Sequence, residues 1–262
     1  MLEARDTMTL AQGLILLLAS FGAGVLKAVA GGGTFLIFPA LMSTGVDPIR
    51  ANATSTVALW PGDVASALAY RREMEGQGRL AASLSIASLL GGAIGAVLLL
   101  NSSRETFSAL VPAMLLMATL LFNFGGPLLA KLRGGGPGAE DRMLPMNVSF
   151  GLQFLVSIYG GYFGAGLGIL MLALFSLMGV KNIHKANALK SVLGVLLNGL
   201  VTAIFVSANA IAWEHGVLVT AGTTSGSFLG AAMARKINPD RVRSFVGATA
   251  WALTGYYFWR AA

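Results

Sequence analysis

Three ionisable side chains lie well inside apolar segments of this 262-residue chain: Lys27, Asp63 and Lys190. A charge is costly in hydrocarbon, so such residues pair with one another, line a cavity, or meet a species that moves through the membrane. Lys190 precedes Asn198 by two helical turns, with Gly194 between them, so the amine and the amide share one helix face, with Ser191 adjacent. The ammonium offers a point charge to an anion, and Asn198 and Ser191 offer hydrogen-bond donors. The competing reading has Lys190 snorkelling to the headgroups near its end of the helix. Lys27 carries the same two readings, one turn before a run of glycines. Asp63 follows Trp60, Pro61 and Gly62, and is either a candidate proton carrier or a counter-ion to Lys27 or Lys190.

Those glycines stand in "KAVAGGGTFLIFPALMSTG", residues 27–45. Gly31, Gly32 and Gly33 interrupt a membrane-grade stretch and leave backbone groups that lipid cannot satisfy, so the break is expected to line protein or a water-filled cavity. A helix opening at Thr34 then presents free N–H groups and the positive end of its dipole, which suits an anion. "GAGLG", residues 164–168, offers a second break through Gly166 and Gly168. Gly22, Gly24, "GGAIG" (91–95) and "GSFLG" (226–230) read instead as small-residue packing seams. Asn52, Thr54 and Ser55 open the third apolar span, where short polar side chains are ordinary helix caps. His184 and His215 fall in loops with no second ligand at metal spacing. No nucleophile, base and orienter set supports an enzyme, and no cofactor is expected.

The elements that must position these residues are membrane helices. Hydrophobic residues make up 55% of the chain and charged ones 11%, with a mean hydropathy of +0.73, too little polar side chain to cover a soluble globule. Apolar segments run roughly 9–30, 34–45, 51–70, 80–100, 107–130, 146–165, 168–180, 187–208, 211–233 and 244–260. Most approach the roughly 20 residues that a helix needs to cross a ~30 Å hydrocarbon layer. The second and seventh are too short and read as half-helices or re-entrant arms. The expected fold is therefore an all-α integral membrane protein of 8–10 segments. The first segment has no clean cleavage site and reads as a retained span. Zero cysteines excludes disulfides and thiolate metal sites. The sequence pI near 10.1 reflects basic loops between spans, which serve topology and anionic lipid, not nucleic acid.

The two halves resemble one another. "GVDPIRANATS" (45–55) aligns with "GVKNIHKANALKS" (179–191) if one residue is skipped after Ile49, pairing Asn52 with Asn187 and Ser55 with Lys190. "GGAIG" then meets "GSFLG" at the same offset. The chain accordingly divides into a first repeat, 1–130, a glycine- and charge-rich linker, 131–145, and a second repeat, 146–262. Placing the loop 71–79 in the cytoplasm sends the linker, 181–186 and 234–243 there too, with most of the Lys and Arg, and leaves both termini periplasmic. Five segments per half make the repeats inverted, a transporter architecture with a site near the bilayer midplane. Hydroxyl Ser55 and amine Lys190 are then both candidates to face one cavity.

"GGGTFLIFPALMSTGVDPIRANATSTVALWPG" with "YRRE", and "NIHKANALKSVLGVLLNGLVTAIF" with Trp213, resemble the TauE/SafE family of sulfite and organosulfonate exporters over nearly the whole chain. The resemblance implies a multi-pass protein of the bacterial inner membrane that exports small sulfur oxyanions such as sulfite or sulfoacetate. Where that family's second half often has a fuller glycine run and a proline mirroring Pro39, this chain has "GAGLG" and Ala173. The expected partners are a small anionic substrate and the lipid bilayer, with pairing of two copies left open. A passive anion channel or uniporter and a non-transporting membrane scaffold are the alternatives.

Overall fold

The computed structural model describes residues 8–30, 34–133, 144–180, 182–233 and 239–261. The side chains of 26–30, 34–35, 126–133, 230–233, 239–243, 245–246 and 260–261 lie outside that description. The described residues form ten α-helices and no strand: α1 (Leu10–Ala30), α2 (Thr34–Ser43), α3 (Pro48–Ala69), α4 (Gly78–Leu100), α5 (Arg104–Arg133), α6 (Met146–Tyr162), α7 (Leu167–Leu177), α8 (Ile183–Ser207), α9 (Trp213–Met233) and α10 (Pro239–Ala261). A single 3₁₀ turn, Arg71–Met74, joins α3 to α4. Among the described residues, α4, α5 over Arg104–Gly125, and α8 are long and apolar enough to cross a membrane. The two short helices are confirmed as such, α2 with 10 residues and α7 with 11, each about 15 Å long.

Helix ends follow from local chemistry, and they shift several expected boundaries. α3 starts at Pro48, not near residue 51, because Asp47 is its N-cap and accepts the Ile49 N–H at 3.0 Å, with proline at the first position where no N–H is missed. α8 starts at Ile183, not near 187, because Asn182 accepts the N–H groups of His184 at 2.9 Å and Lys185 at 3.2 Å. His184 and His215 therefore sit in the first turns of α8 and α9, not in loops. Asp47 and Asn182 stand in register with the two Ala-Asn-Ala elements, so the skipped residue falls before Asp47, not after Ile49. α2 and α7 end alike, each on a left-handed glycine two residues past its last helical residue: Gly45 at φ 89° and Gly179 at φ 85°. α5 runs on to Arg133 and takes the first residues assigned to the linker.

Helices pair across the halves: α1 with α9, α4 with α6, and α3 with α8. Glycines make the first two pairs close. A Cβ on Gly95 would collide with the Ile158 carbonyl, and one on Gly161 with the Gly92 carbonyl. On the other side, Gly226 lies against the Phe21 carbonyl and Gly24 against that of Thr223. The packing reading of these segments holds for Gly24, Gly91, Gly92, Gly95 and Gly226; Gly22 makes only an ordinary contact with Leu36. Ser88 in α4 donates to Leu84 O at 2.8 Å, and Thr223 in α9, 135 residues further on, donates to Val219 O at 2.8 Å.

Loop contacts sort the helix ends. Gln77 donates to Lys185 O at 3.2 Å and Leu144 N–H to Leu177 O at 3.2 Å, which gathers 71–79, the start of α6, the end of α7 and the start of α8 at the linker end. Arg104 pairs with Asp47 at 3.5 Å and Arg50 donates to Ile211 O at 3.0 Å, which gathers the starts of α3, α5 and α9 at the opposite end.

Candidate functional site

The site begins where the second half breaks. α6 ends at Tyr162, Gly164 and Gly166 both adopt left-handed backbone at φ 77°, and α7 opens at Leu167 with no side-chain cap on its N-terminus. Only glycine takes that conformation freely. The Tyr159 hydroxyl donates to the Ala165 carbonyl inside the break and so satisfies one of its polar groups. The stem of Lys190 lies along the first turn of α7: a Cβ on Gly168 would stand 3.3 Å from Lys190 Cδ. Gly168 and Lys190 are thus brought together at the first turn of α7, which Gly166 precedes as N-cap.

Asn198, two turns further along α8, faces α3. Its Nδ2 donates to Asp63 Oδ2 at 2.9 Å. One turn earlier the Trp60 indole N–H donates to Val195 O at 3.1 Å and its ring covers Gly199, where a Cβ would meet Nε1 at 3.2 Å. Asn198 therefore has a protein carboxylate as its partner, and the α3–α8 crossing is a polar contact with a half-buried aspartate at its centre.

Asn52, Thr54 and Ser55 do not cap α3, since the helix already begins at Pro48. They are interior and buried, at 2%, 0% and 1% exposure. Asn52 Nδ2 donates to Tyr162 O at 3.0 Å, which ties α3 of one half to the last residue of α6 in the other. The Thr54 hydroxyl accepts the Ala212 N–H at 3.0 Å, and beside it Arg50 holds Ile211, so both fix the turn before α9. The Ser55 hydroxyl donates back to Asn52 O at 2.8 Å. Asn187 is half-buried and Ser191 buried on α8.

The first-half break lies partly outside the described residues. Lys27 has helical backbone in the last turns of α1 and Thr34 opens α2, but their side chains, and Gly31, Gly32 and Gly33 altogether, are among those not described.

Sequence reasoning missed the aromatic cluster over the second break. Phe163 stacks edge-on against Phe38 at 5.6 Å, and Phe107 against Phe38 at 6.3 Å and Tyr162 at 5.7 Å. Phe38, Phe107 and Phe163 are at most 3% exposed. They come from α2, α5 and the α6–α7 connection, and aromatics scattered through apolar spans carry no signal that they converge.

The model of the family described as sulfite exporter TauE/SafE matches residues 16–257. A "Probable membrane transporter protein" of Haemophilus influenzae is 30% identical over 244 residues, 92% of each chain. "Probable membrane transporter protein ORF9" of Sinorhizobium sp is 25% identical over 215 residues, 82% of this chain and 80% of its own. "Probable membrane transporter protein YfcA" of Escherichia coli K12 is 27% identical over 235 residues, 85% of this chain and 79% of its own. No solved structure matches the chain significantly.

Proposed function

The chain belongs to the sulfite exporter TauE/SafE family, and from that membership we propose that it is a secondary transporter exporting a small anion, sulfite or an organosulfonate such as sulfoacetate, across the bacterial inner membrane. The observation that carries this reading is the meeting of Lys190 with Gly168 at the uncapped, glycine-started N-terminus of α7. Charge and helix dipole there have the same sign, and an oxyanion answers both. Lys27, Gly31, Gly32, Gly33 and Thr34 are the proposed first-half counterpart, and Asn187 and Ser191 flank Lys190.

Two inverted repeats are the proposed frame, supported by matched N-caps at Asp47 and Asn182, matched hydroxyl bonds at Ser88 and Thr223, and cross-half pairing of α1 with α9 and α4 with α6. The linker end, which carries Arg71, Arg72, Arg79 and Lys185, is proposed to be cytoplasmic. Asp63 is the proposed proton carrier, held by Asn198.

The test is thermal unfolding of the detergent-purified protein in sulfite, sulfate, thiosulfate, sulfoacetate, taurine and chloride, beside Lys190→Ala. A ligand at 100 times its Kd stabilises the state it binds by about 2.7 kcal/mol. Selective stabilisation by one sulfur anion, lost in Lys190→Ala, is the expected result. No response to any anion, or equal response of both proteins, would overturn the site.

A further inference from the structure

A groove of about 710 Å³ runs along the outer face of α9, walled by Val57, Trp213, Val217, Ala221, Thr224 and Phe228. It is separate from the break in front of α7. Val217 and Phe228 are 64% and 77% exposed, so the face looks outward. Two of its three hydroxyls are spent on their own helix: Thr220 donates to Gly216 O at 2.8 Å and Ser225 to Ala221 O at 2.7 Å. With Thr224 as the third, the wall is largely apolar.

The groove is a departure from the other half. In the register fixed by the Ser88 and Thr223 bonds, α4 carries Ile86, Leu89 and Leu90 where α9 carries Ala221, Thr224 and Ser225. Bulk that fills the middle of the outer face of α4 is missing from α9, while at the two ends Trp213 and Phe228 stand where α4 has Gly78 and Ala93. The face is thus hollowed between two large rings. An unfilled concavity forfeits contacts along its whole lining, so something conformable must occupy it. From Trp213 to Phe228 it spans about 22 Å of helix, more than one leaflet's share of a ~30 Å hydrocarbon layer.

Its mouth is charged. Arg50 is exposed and donates one N–H to Ile211 O at 3.0 Å, and Ile211 itself lines the groove. The remaining guanidinium donors form the planar fork that suits a phosphate. Exposed Glu214 and half-buried His215 adjoin it at the start of α9, which makes the rim suitable for a zwitterionic headgroup. We infer that the groove holds one acyl chain of a glycerophospholipid whose phosphodiester is bound by Arg50. The cationic mouth selects this occupant over a helix from a second copy, since an apolar helix offers Arg50 no anion.

Native mass spectrometry of the delipidated protein titrated with palmitoyl-oleoyl phosphatidylethanolamine tests this independently of transport. Wild type is expected to bind one equivalent tightly. Ala221→Leu/Thr224→Leu, which restores at exposed positions the bulk found in α4, is expected to weaken that binding at least tenfold with unchanged elution and melting. Arg50→Gln is expected to weaken it several-fold. Absence of a tight equivalent in wild type, or equal binding by the filled-groove variant, overturns the inference. So does a disulfide-linked dimer of Ala221→Cys in membranes, made readable by a chain with no cysteine of its own, because a second copy would then own the groove.

Discussion

Asp63 and Asn198 lie 135 residues apart and are hydrogen-bonded to each other, Asn198 Nδ2 donating to Asp63 Oδ2 at 2.9 Å. Trp60 and Val195 have the same separation and are also bonded, at 3.1 Å. That separation is the one relating Asn52 to Asn187. Both bonds lie at the α3–α8 crossing and join residues at the offset of the proposed repeat. The partners are not alike, however: one is a carboxyl group and the other an amide, and leaving a buried polar partner unsatisfied costs about 1–3 kcal/mol. Asn198→Ala is expected to destabilise by about 2 kcal/mol, and the exchanged pair Asp63→Asn/Asn198→Asp to recover most of it. Denaturant unfolding of the single and double variants gives the coupling directly; additive losses would mean the contact carries no energy.

That pairing is half legible in the sequence. The sequence placed Asn198 on the Lys190 face and Asp63 inside a span, but facing residues on two helices cannot be read from either helix alone. Element types were legible because apolar runs and glycine breaks are local patterns. The role of Asn52 was not: it sits near a helix start, yet the cap it supplies is to the Tyr162 carbonyl at the end of α6, a contact set by tertiary packing. The true start of α3 is a local signal, Asp47 followed by Pro48, that the hydropathy of the span masks. The aromatic cluster at Phe38, Phe107 and Phe163 was invisible because it draws on three distant segments.

Gly95 and Gly151 separate close packing from mere small size. Gly95 is buried in the α4–α6 seam, where a Cβ would overlap the Ile158 carbonyl, whereas Gly151 on α6 has nothing within 4 Å of its Cβ position. Backbone cannot move aside as a side chain can, so Gly95→Ala is expected to cost about 3 kcal/mol or more. Gly151→Ala is expected to be neutral or to stabilise by up to ~1 kcal/mol through helix propensity. Melting temperatures of the two purified variants decide this; similar values would mean that the α4–α6 approach is looser than drawn.

The two N-caps should behave as a matched pair. Asp47→Ala and Asn182→Ala each remove a side-chain acceptor for first-turn N–H groups, and each is expected to cost about 1 kcal/mol. Asp47→Asn keeps the cap and loses only the ion pair with Arg104, which is 3.5 Å long with Arg104 69% exposed. Such a pair is worth under ~1 kcal/mol, so Asp47→Asn should melt close to wild type. If Asp47→Asn matched Asp47→Ala instead, the ion pair and not the cap would be the stabilising contact.

Asn52 acts on the second-half break from the first half. Its amide is buried and bonded to Tyr162 O, the last carbonyl of α6. Asn52→Leu keeps the branched heavy-atom shape but strands that carbonyl, at an expected cost of about 1–3 kcal/mol. Tyr162 leads directly into the glycines before α7, so the variant should also lose part of any anion-dependent stabilisation. The readout is melting temperature with and without sulfite; a loss of stability that leaves the sulfite shift at its wild-type size would show that the break is held by other contacts.

Gly168 and Lys190 test the anion site by shape and charge separately. A Cβ at Gly168 would stand 3.3 Å from Lys190 Cδ, so alanine there displaces the lysine stem by a few tenths of an ångström while leaving its charge. Lys190→Met keeps the stem and removes the charge. If charge beside the α7 N-terminus holds the anion, Lys190→Met should abolish the sulfite-induced rise in melting temperature, and Gly168→Ala should reduce it without abolishing it. Lys190→Arg retains charge but replaces a compact ammonium by a wider planar fork, so a partial shift is expected there too. The order wild type, Gly168→Ala, Lys190→Met in decreasing sulfite response follows only if stem position and charge both matter. A Lys190→Met protein that still responds fully to sulfite would leave Lys190 as a side chain reaching for headgroups, and the anion would have to be bound by the backbone of the breaks alone.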